Sequence, residues 1–438
     1  MDEHRQLLER HRRVLPAWIS LFYDQPIELV AGKDCWVTDA EGTSYIDFFG
    51  GILTTSIGHG VEEFVEAVRS QVGRIAHSST LYLLRPMIEL AERIAALSNI
   101  PDAKVFLVNS GSEAIDAALM MCCSARRSNE VLALRNSYHG RSFAAVGVTG
   151  NRSWSPSSYA SLSVSWVHGG DRLRGIFAGL SDAALVEAAA RDLREVIETT
   201  TAGDVACFVA EPIQGVGGFV VPPDGFFGAL QAVLREYGIL YVSDEVQTGW
   251  GRTGEHFWGY EAHGVEPDLL VFAKGLGNGL PIGGVVGRAN IVDAIGSSSI
   301  STFGGNPVSC AGALATLQYM LDHDLQANAL AVGTRMRRRL DEALAGESIV
   351  GEIRGKGLMI GIDLVVPGTT DPSPEAASAV LEEARRSGLL VGKGGLYGNV
   401  LRVAPPMSIS QDLADDGVGR LVAAVRDVGR RSEKEIAS

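Results

Sequence analysis

The sequence predicts an α/β fold: a large, mostly parallel sheet with helices around it, set between smaller segments from the two chain ends. Three observations carry that prediction. Residues 104–290 alternate short apolar runs with stretches of helical spacing. Two of the runs, Ile239-Leu240-Tyr241-Val242 and Leu269-Leu270-Val271-Phe272-Ala273, are apolar at consecutive positions, as strands covered on both faces require. After Asp322 the pattern turns into intermixed helices and strands, the texture of a separate α+β unit.

Taken in order, residues 1–20 read as a polar-faced helix ending near Pro16. Asp34–Phe49 reads as a hairpin turning at Asp39-Ala40-Glu41-Gly42. Two helical stretches fill Val61–Leu97, broken near Ser78-Ser79-Thr80, and Lys104–Val108 is the first strand of the central sheet. Asn109-Ser110-Gly111-Ser112-Glu113 then leads straight into a helix from Ala114. Val131–Leu134 is a strand running into Ser137-Tyr138-His139-Gly140. Between residues 151 and 200 come a serine-rich loop and an acidic amphipathic helix, Asp182–Thr199. The strand Ala206–Ala210 ends in Glu211-Pro212 and is followed by the loop Gln214–Gly218. Leu276–Gly287 reads as a glycine-rich loop, and Ser301–Pro307 as a polar turn opening a helix at Val308–Leu321. The tail continues as helix Leu325–Leu344, strands Ile349–Arg354 and Leu358–Leu364, helix Glu375–Ser387, strands Leu389–Val391 and Val400–Val403, and a last helix.

A net charge of −14 argues against binding nucleic acid through phosphate contacts. Cys35, Cys122, Cys123, Cys207 and Cys310 show neither metal-ligand nor disulfide spacing, which suits buried thiols in a reducing compartment and predicts no metal site. Residues 1–20 begin polar, and no apolar stretch is long enough for a bilayer, so the expectation is a soluble cytoplasmic protein.

The two apolar runs break into Asp244-Glu245-Val246-Gln247 and Lys274-Gly275. Charged groups are costly to bury unpaired, and the strand ends of open sheets are where ligands sit. A carboxylate and a lone lysine presented together suggest a cofactor site with a Schiff-base lysine. The alternative is a structural ion pair or two solvated strand ends. At Asn109–Glu113, a Ser/Gly turn entering a helix suits a phosphate, because N–H groups and the positive dipole end gather there; a plain helix cap is the alternative. Tyr138 could stack on a planar ring or simply pack.

In combination, Ser243-Asp244-Glu245-Val246-Gln247-Thr248-Gly249, Gly251-Arg252-Thr253-Gly254, Pro267-Asp268 and Lys274-Gly275 resemble the class III (subgroup II, ω-type) aminotransferases, pyridoxal-phosphate enzymes of fold type I. The resemblance runs from Phe22 to about Asp427. Val108–Ala114 and Gly392–Val400 look most like the alanine–glyoxylate aminotransferase 2 branch. It implies a seven-stranded, mostly parallel sheet in a large domain of residues 61–325. A small α+β domain would be drawn from 326–438, and 1–60 would contribute to it and to a dimer.

The resemblance also implies roles. Lys274 would hold pyridoxal phosphate as a Schiff base and shuttle the proton between Cα and C4′, which needs a neutral amine. Asp244 would pair with the pyridine nitrogen and Gln247 with the ring hydroxyl oxygen. Gly111 and Ser112 would hold the phosphate beside Ser110, Tyr138 would stack on the ring, and Thr302 would reach the phosphate of a neighbouring subunit, implying a homodimer with shared sites. Arg402 would bind a substrate carboxylate, and Glu211 would pair with an active-site arginine, hiding or releasing it as the two substrates alternate. One departure stands out: where many members carry Gly-His-x-His-Pro, this chain has Gly58-His59-Gly60-Val61-Glu62.

The implied activity is transfer of an amino group from an amino acid or ω-amine to a small 2-oxo acid of the pyruvate or glyoxylate type. An amino-acid racemase or epimerase and a dialkylglycine-type decarboxylase share the same scaffold and remain alternatives, because the cofactor carries the chemistry common to all of them. A silent binding protein conflicts with retention of Lys274, Asp244 and Gln247. A dinucleotide dehydrogenase lacks Gly-x-Gly-x-x-Gly after the first strand.

Overall fold

A computed structural model describes residues 3–155 and 160–437. At its centre is a seven-stranded sheet in the spatial order Ala103–Val108, Gly283–Arg288, Leu269–Phe272, Leu240–Asp244, Cys207–Ala210, Glu130–Leu134, Ser163–Val167. The five strands from Leu269–Phe272 onward pair in parallel. Gly283–Arg288 alone runs against both of its neighbours.

The continuous apolar runs have a simple cause. Side chains alternate faces along a strand, and here both faces are covered. Tyr241, Leu270 and Phe272 enter one core, while Val242, Leu269 and Val271 enter another on the opposite side. Helix Gly111–Arg126 contributes Ala114, Ile115, Ala118 and Cys122 to the second core. Helices Asp182–Thr200 and Phe226–Glu236 contribute Leu193, Ile197, Leu230 and Leu234 to the first.

Two sequence expectations need correction. Leu276–Gly287 is not all loop, because Gly283–Arg288 is a strand. Its glycines are a packing requirement: a Cβ on Gly284 would lie 2.5 Å from the Phe272 ring and 2.6 Å from the Phe106 carbonyl. The serine-rich stretch conceals the edge strand Ser163–Val167, which pairs with Glu130–Leu134. Part of the predicted serine-rich loop falls on residues 156–159, outside the described residues. The strand Ala103–Val108 opens the sheet in sequence but lies at its edge.

Both chain ends meet in one small sheet. Leu29–Lys33, Trp36–Asp39 and Ser44–Asp47 form an antiparallel set, and Leu389–Leu390 adds to it in parallel with Ser44–Asp47. A second small sheet joins Val350–Lys356, Met359–Leu364, Val400–Val403 and Gly392–Gly394. Buried Arg252 ties this region to the large sheet by donating to the Pro405 and Leu358 carbonyls. Among the described residues, no helix is long and apolar enough to cross a membrane.

Overpacking a tight interior costs ~1–3 kcal/mol. Gly284→Ala is therefore expected to lower the urea unfolding midpoint clearly, because one contact is a backbone carbonyl that cannot swing aside. An unchanged midpoint would show that the strand has slack.

Candidate active site

Parallel pairing of Leu240–Asp244 with Leu269–Phe272 brings both strand ends to one edge of the sheet. Asp244 and Lys274 emerge there and line one cavity of about 250 Å³. They are not an ion pair. Asp244, 4% exposed, takes a 2.7 Å hydrogen bond from His139 Nδ1 on one oxygen and 3.1 Å from the Val246 N–H on the other. Among the described residues Lys274 has no carboxylate within ion-pair distance. Burial lowers its pKa to about 8 against the opposing attraction of Asp244, so far more of its amine is neutral than in a free lysine. Its φ of +42° places a residue with a Cβ in the left-handed region, a conformation the surrounding fold must enforce.

His139 was not singled out as a site residue by the sequence reading. Its ring is fully buried, which disfavours charge, but the hydrogen bond and charge of Asp244 outweigh burial and raise its pKa above the ordinary value of 6.5. The available signal was its place beside Tyr138 at a strand end. Glu245 was also passed over. Wholly buried, it accepts from Ser243 Oγ, Thr248 Oγ1 and the Gly259 and Tyr260 N–H groups, fixing the turn that carries Asp244 and Gln247.

At the helix entrance the cap is directly visible. Ser110 caps the helix, accepting from Glu113 N at 3.2 Å. The Gly111 and Ser112 N–H groups have no acceptor among the described residues, as expected of a first turn, and both residues line the cavity. Ser112 Oγ accepts from Arg141 N at 3.1 Å, which pins the facing loop. Gln247 is buried with Oε1 lacking a partner. It packs so closely on Gly215 that a Cβ there would lie 2.2 Å from its amide nitrogen.

Tyr138 lines the cavity with its ring 5.3 Å from Trp154. Arg402, 4% exposed, makes a 3.4 Å hydrogen bond to the Gly215 carbonyl, leaves Nε unpartnered, and lies over the rings of Phe49 and Phe219 at 5.0 and 5.6 Å. Burial lowers its pKa to about 10. Glu211 is not paired with it. Its two oxygens accept from the Tyr138 and Gly215 N–H groups at 2.9 and 2.8 Å, and burial pushes its pKa up to about 7. Thr302 is exposed and lines a different, larger cavity, beside Ser301 and Asn109. Within one chain, then, every predicted site residue but Thr302 reaches the Lys274 cavity. Ile52, Trp154, Val216 and Val246 also line it.

A flat ring bearing a phosphate and a basic ring nitrogen fits these residues. Two free N–H groups stand at a helix entrance, a buried carboxylate has a raised-pKa histidine behind it, and the Gln247 oxygen has no hydrogen-bond partner among the described residues.

Sheet order and site together define an α/β enzyme of the pyridoxal-phosphate type. Residues 23–425 match the family model for aminotransferase class-III. The mitochondrial alanine–glyoxylate aminotransferase 2 homolog 2 of Arabidopsis thaliana is 37% identical over 93% of this chain and 85% of its own. The alanine/serine racemase of Pyrococcus horikoshii is 35% identical over 97% of this chain and 90% of its own. An amine transaminase from an uncultivated Pseudomonas species, solved in its PLP-bound form, superposes with a TM-score of 0.86 at 31% identity, covering 93% of this chain and 95% of its own. This chain belongs to the class-III aminotransferases, pyridoxal-phosphate enzymes of fold type I.

Removing one partner of a buried charged pair costs ~3–5 kcal/mol. His139→Ala should therefore destabilise the cofactor-free protein. The raised pKa gives that loss a direction: the charged pair contributes fully below about pH 6.5, the unfolded value, and fades as pH rises through the higher folded value. The urea-midpoint gap between wild type and variant should be wider near pH 6 than near pH 9. Equal gaps would mean that the histidine titrates alike in the folded and unfolded chain.

Proposed function

We propose that this enzyme moves an amino group from an amino acid or ω-amine to a small 2-oxo acid of the pyruvate or glyoxylate type, in two half-reactions through one cavity. The observation that carries this reading is that Lys274 faces the same space as the buried Arg402, and that among the described residues neither has a carboxylate within ion-pair distance. Pyridoxal phosphate, when bound, supplies an electron sink for a carbanion at the substrate Cα. The protein does the rest. Gly111 and Ser112 offer N–H groups to the phosphate, with Ser110 setting the turn. Asp244, backed by His139, keeps a proton on the ring nitrogen, Gln247 meets the ring hydroxyl oxygen, and Tyr138 covers one face. Lys274, with its lowered pKa, can bind the carbonyl carbon and move a proton at the substrate Cα. Arg402 orients the carboxylate through charge-assisted hydrogen bonds. Relatives named for alanine–glyoxylate transamination support the choice of a small 2-oxo acid.

A second reading is racemisation, favoured by the relative named as an alanine/serine racemase. Transfer leaves one 2-oxo acid for each donor consumed, whereas racemisation leaves none.

The proposal extends to a homodimer. Leu81, Tyr82, Leu83, Ile300 and Phe303 are exposed, and the Ala76–Thr80 side of this surface meets the 301–306 turn through His77–Phe303 and Asn306–Ala76 contacts. A second copy covering this face would bring Thr302 to its partner's phosphate site. We further place residues 61–325 as the cofactor domain, 326–438 as the small domain, and 1–60 as a segment serving the small domain and the dimer. The free, mostly buried thiols suit the cytoplasm.

Excess L-alanine without acceptor should yield one pyruvate per active site and bleach the visible cofactor band. Lys274→Ala should lose turnover by about a thousand-fold or more while keeping its fold by circular dichroism. Full activity in that variant would sink the mechanism. D-alanine from L-alanine with no pyruvate would establish the racemase reading instead.

A further inference from the structure

Gly50, Gly51, Ile52 and Leu53 all have left-handed backbones, with φ of +55°, +58°, +66° and +60°. A run of this kind amounts to a left-handed helical turn, which any residue with a Cβ disfavours. Isoleucine, branched at Cβ, is among the least suited. Such conformations persist only where the surroundings over-determine them, and they gather at functional sites.

What enforces the turn is visible. Asp47, 5% exposed, ends the strand Ser44–Asp47, and its Oδ1 accepts from the Phe49 and Gly50 N–H groups at 2.9 and 2.8 Å. Its Oδ2 is held at 3.1 Å by His59 Nε2. His59 is fixed in turn, its backbone exchanging two 2.8 Å hydrogen bonds with Asp34. The Gly50 carbonyl closes the turn by accepting from Thr54 and Thr55 N–H, and Phe48 O accepts from Ala404 N at 2.7 Å. This last bond ties the segment to the stretch just after Arg402.

The turn divides two cavities. On one side Ile52 lines the space shared by Lys274 and Arg402. On the other, Phe49, Gly51, Asp47 and His59 line an apolar cavity of about 280 Å³ with Phe22 and Leu390. The Phe49 ring is wedged between them, 5.0 Å from the Arg402 guanidinium carbon and so close to Gly392 that a Cβ there would lie 2.1 Å from the ring. Among the described residues the Arg402 side chain makes one long hydrogen bond, so its position depends largely on the two rings it lies against.

We propose that Asp47, steadied by His59, is a positioning residue: it holds the strained turn that sets Phe49 against Arg402 and Ile52 into the cavity, and thereby fixes the site for the substrate carboxylate. This rests on the reading of Arg402 as the carboxylate anchor. It assigns a use to Gly58-His59-Gly60, the segment that departs from the Gly-His-x-His-Pro pattern.

The test is a double-mutant cycle on the cofactor-loaded enzyme, using Asp47→Ala, Ile52→Gly and both together. Propionate, an unreactive carboxylate, is titrated by NMR alongside kinetics with L-alanine and pyruvate. Asp47→Ala alone should weaken propionate and raise KM by about ten-fold, with kcat much less affected and pyridoxal-phosphate affinity kept. Glycine accepts the left-handed conformation freely, so in the Ile52→Gly background the same substitution should cost far less. Asp47→Asn, which keeps an acceptor for the two N–H groups, should restore most of the loss. Equal effects of Asp47→Ala in both backgrounds, or an unchanged propionate affinity, would overturn the inference. Propionate binding that follows this pattern in a protein showing no transfer would leave the inference standing and reject transamination instead.

Discussion

The site depends on one constraint, the parallel pairing of two strands buried on both faces. Parallel neighbours end at the same edge of a sheet, so a carboxylate after one and an amine after the other are delivered to a common space whatever the loops do. Burial then forces a choice on each charge. Asp244 satisfies itself through His139 and the Val246 N–H, leaving Lys274 unpaired. Had Asp244 bonded Lys274 directly, the amine would be held charged and unreactive. The histidine therefore keeps apart two groups that the fold has brought together.

The same logic extends through the cavity. Lys274, Arg402 and Glu211 are all shifted toward neutrality, burial being the leading cause for each. A protein interior tolerates such groups only at a cost in stability, and among the described residues none of the three lies within ion-pair distance of an oppositely charged side chain. Perturbed groups converging in one cleft mark a functional site. On the proposed reading, a zwitterionic amino acid and an anionic ring cofactor would bring the partners these groups lack. The exposed Thr302 lies outside this cavity, and in the proposed homodimer it would complete the partner's site.

Much of this was legible in the sequence, for physical reasons. Strands buried on both faces must be apolar at every position, so Leu240–Asp244 and Leu269–Phe272 announced themselves, and with them Asp244 and Lys274. The helix entrance at Ser110–Glu113 carries its own local grammar. Leu276–Gly287 reads as a loop although Gly283–Arg288 is a strand, because its glycines serve packing against Phe272 and Phe106, a tertiary demand with no local signature. Ser163–Val167 was hidden because an edge strand needs only some apolar positions. His139 and the left-handed turn at Gly50–Leu53 went unseen for a related reason: their meaning lies in contacts with residues far away in sequence.

The geometry also bears on how one cavity receives two different substrates. An arginine hidden in an ion pair must be released before it can bind a carboxylate, and the resemblance suggested Glu211 for that partner. In this fold Glu211 is committed to two backbone N–H groups, one from the Tyr138 loop and one from Gly215. To reach Arg402 it would have to abandon both donors and leave them buried and unpaired, a cost of ~1–3 kcal/mol for each group. Arg402, meanwhile, already rests on aromatic faces, which stabilise its charge without competing in the plane where a carboxylate bonds. On the proposed reading, the resting site would accept an α-carboxylate directly, as both an α-amino acid and a 2-oxo acid require. With Arg402 as the carboxylate anchor, a substrate without a carboxylate would gain nothing from it and would have to bind against a buried cation, which would favour small α-carboxylates over simple amines.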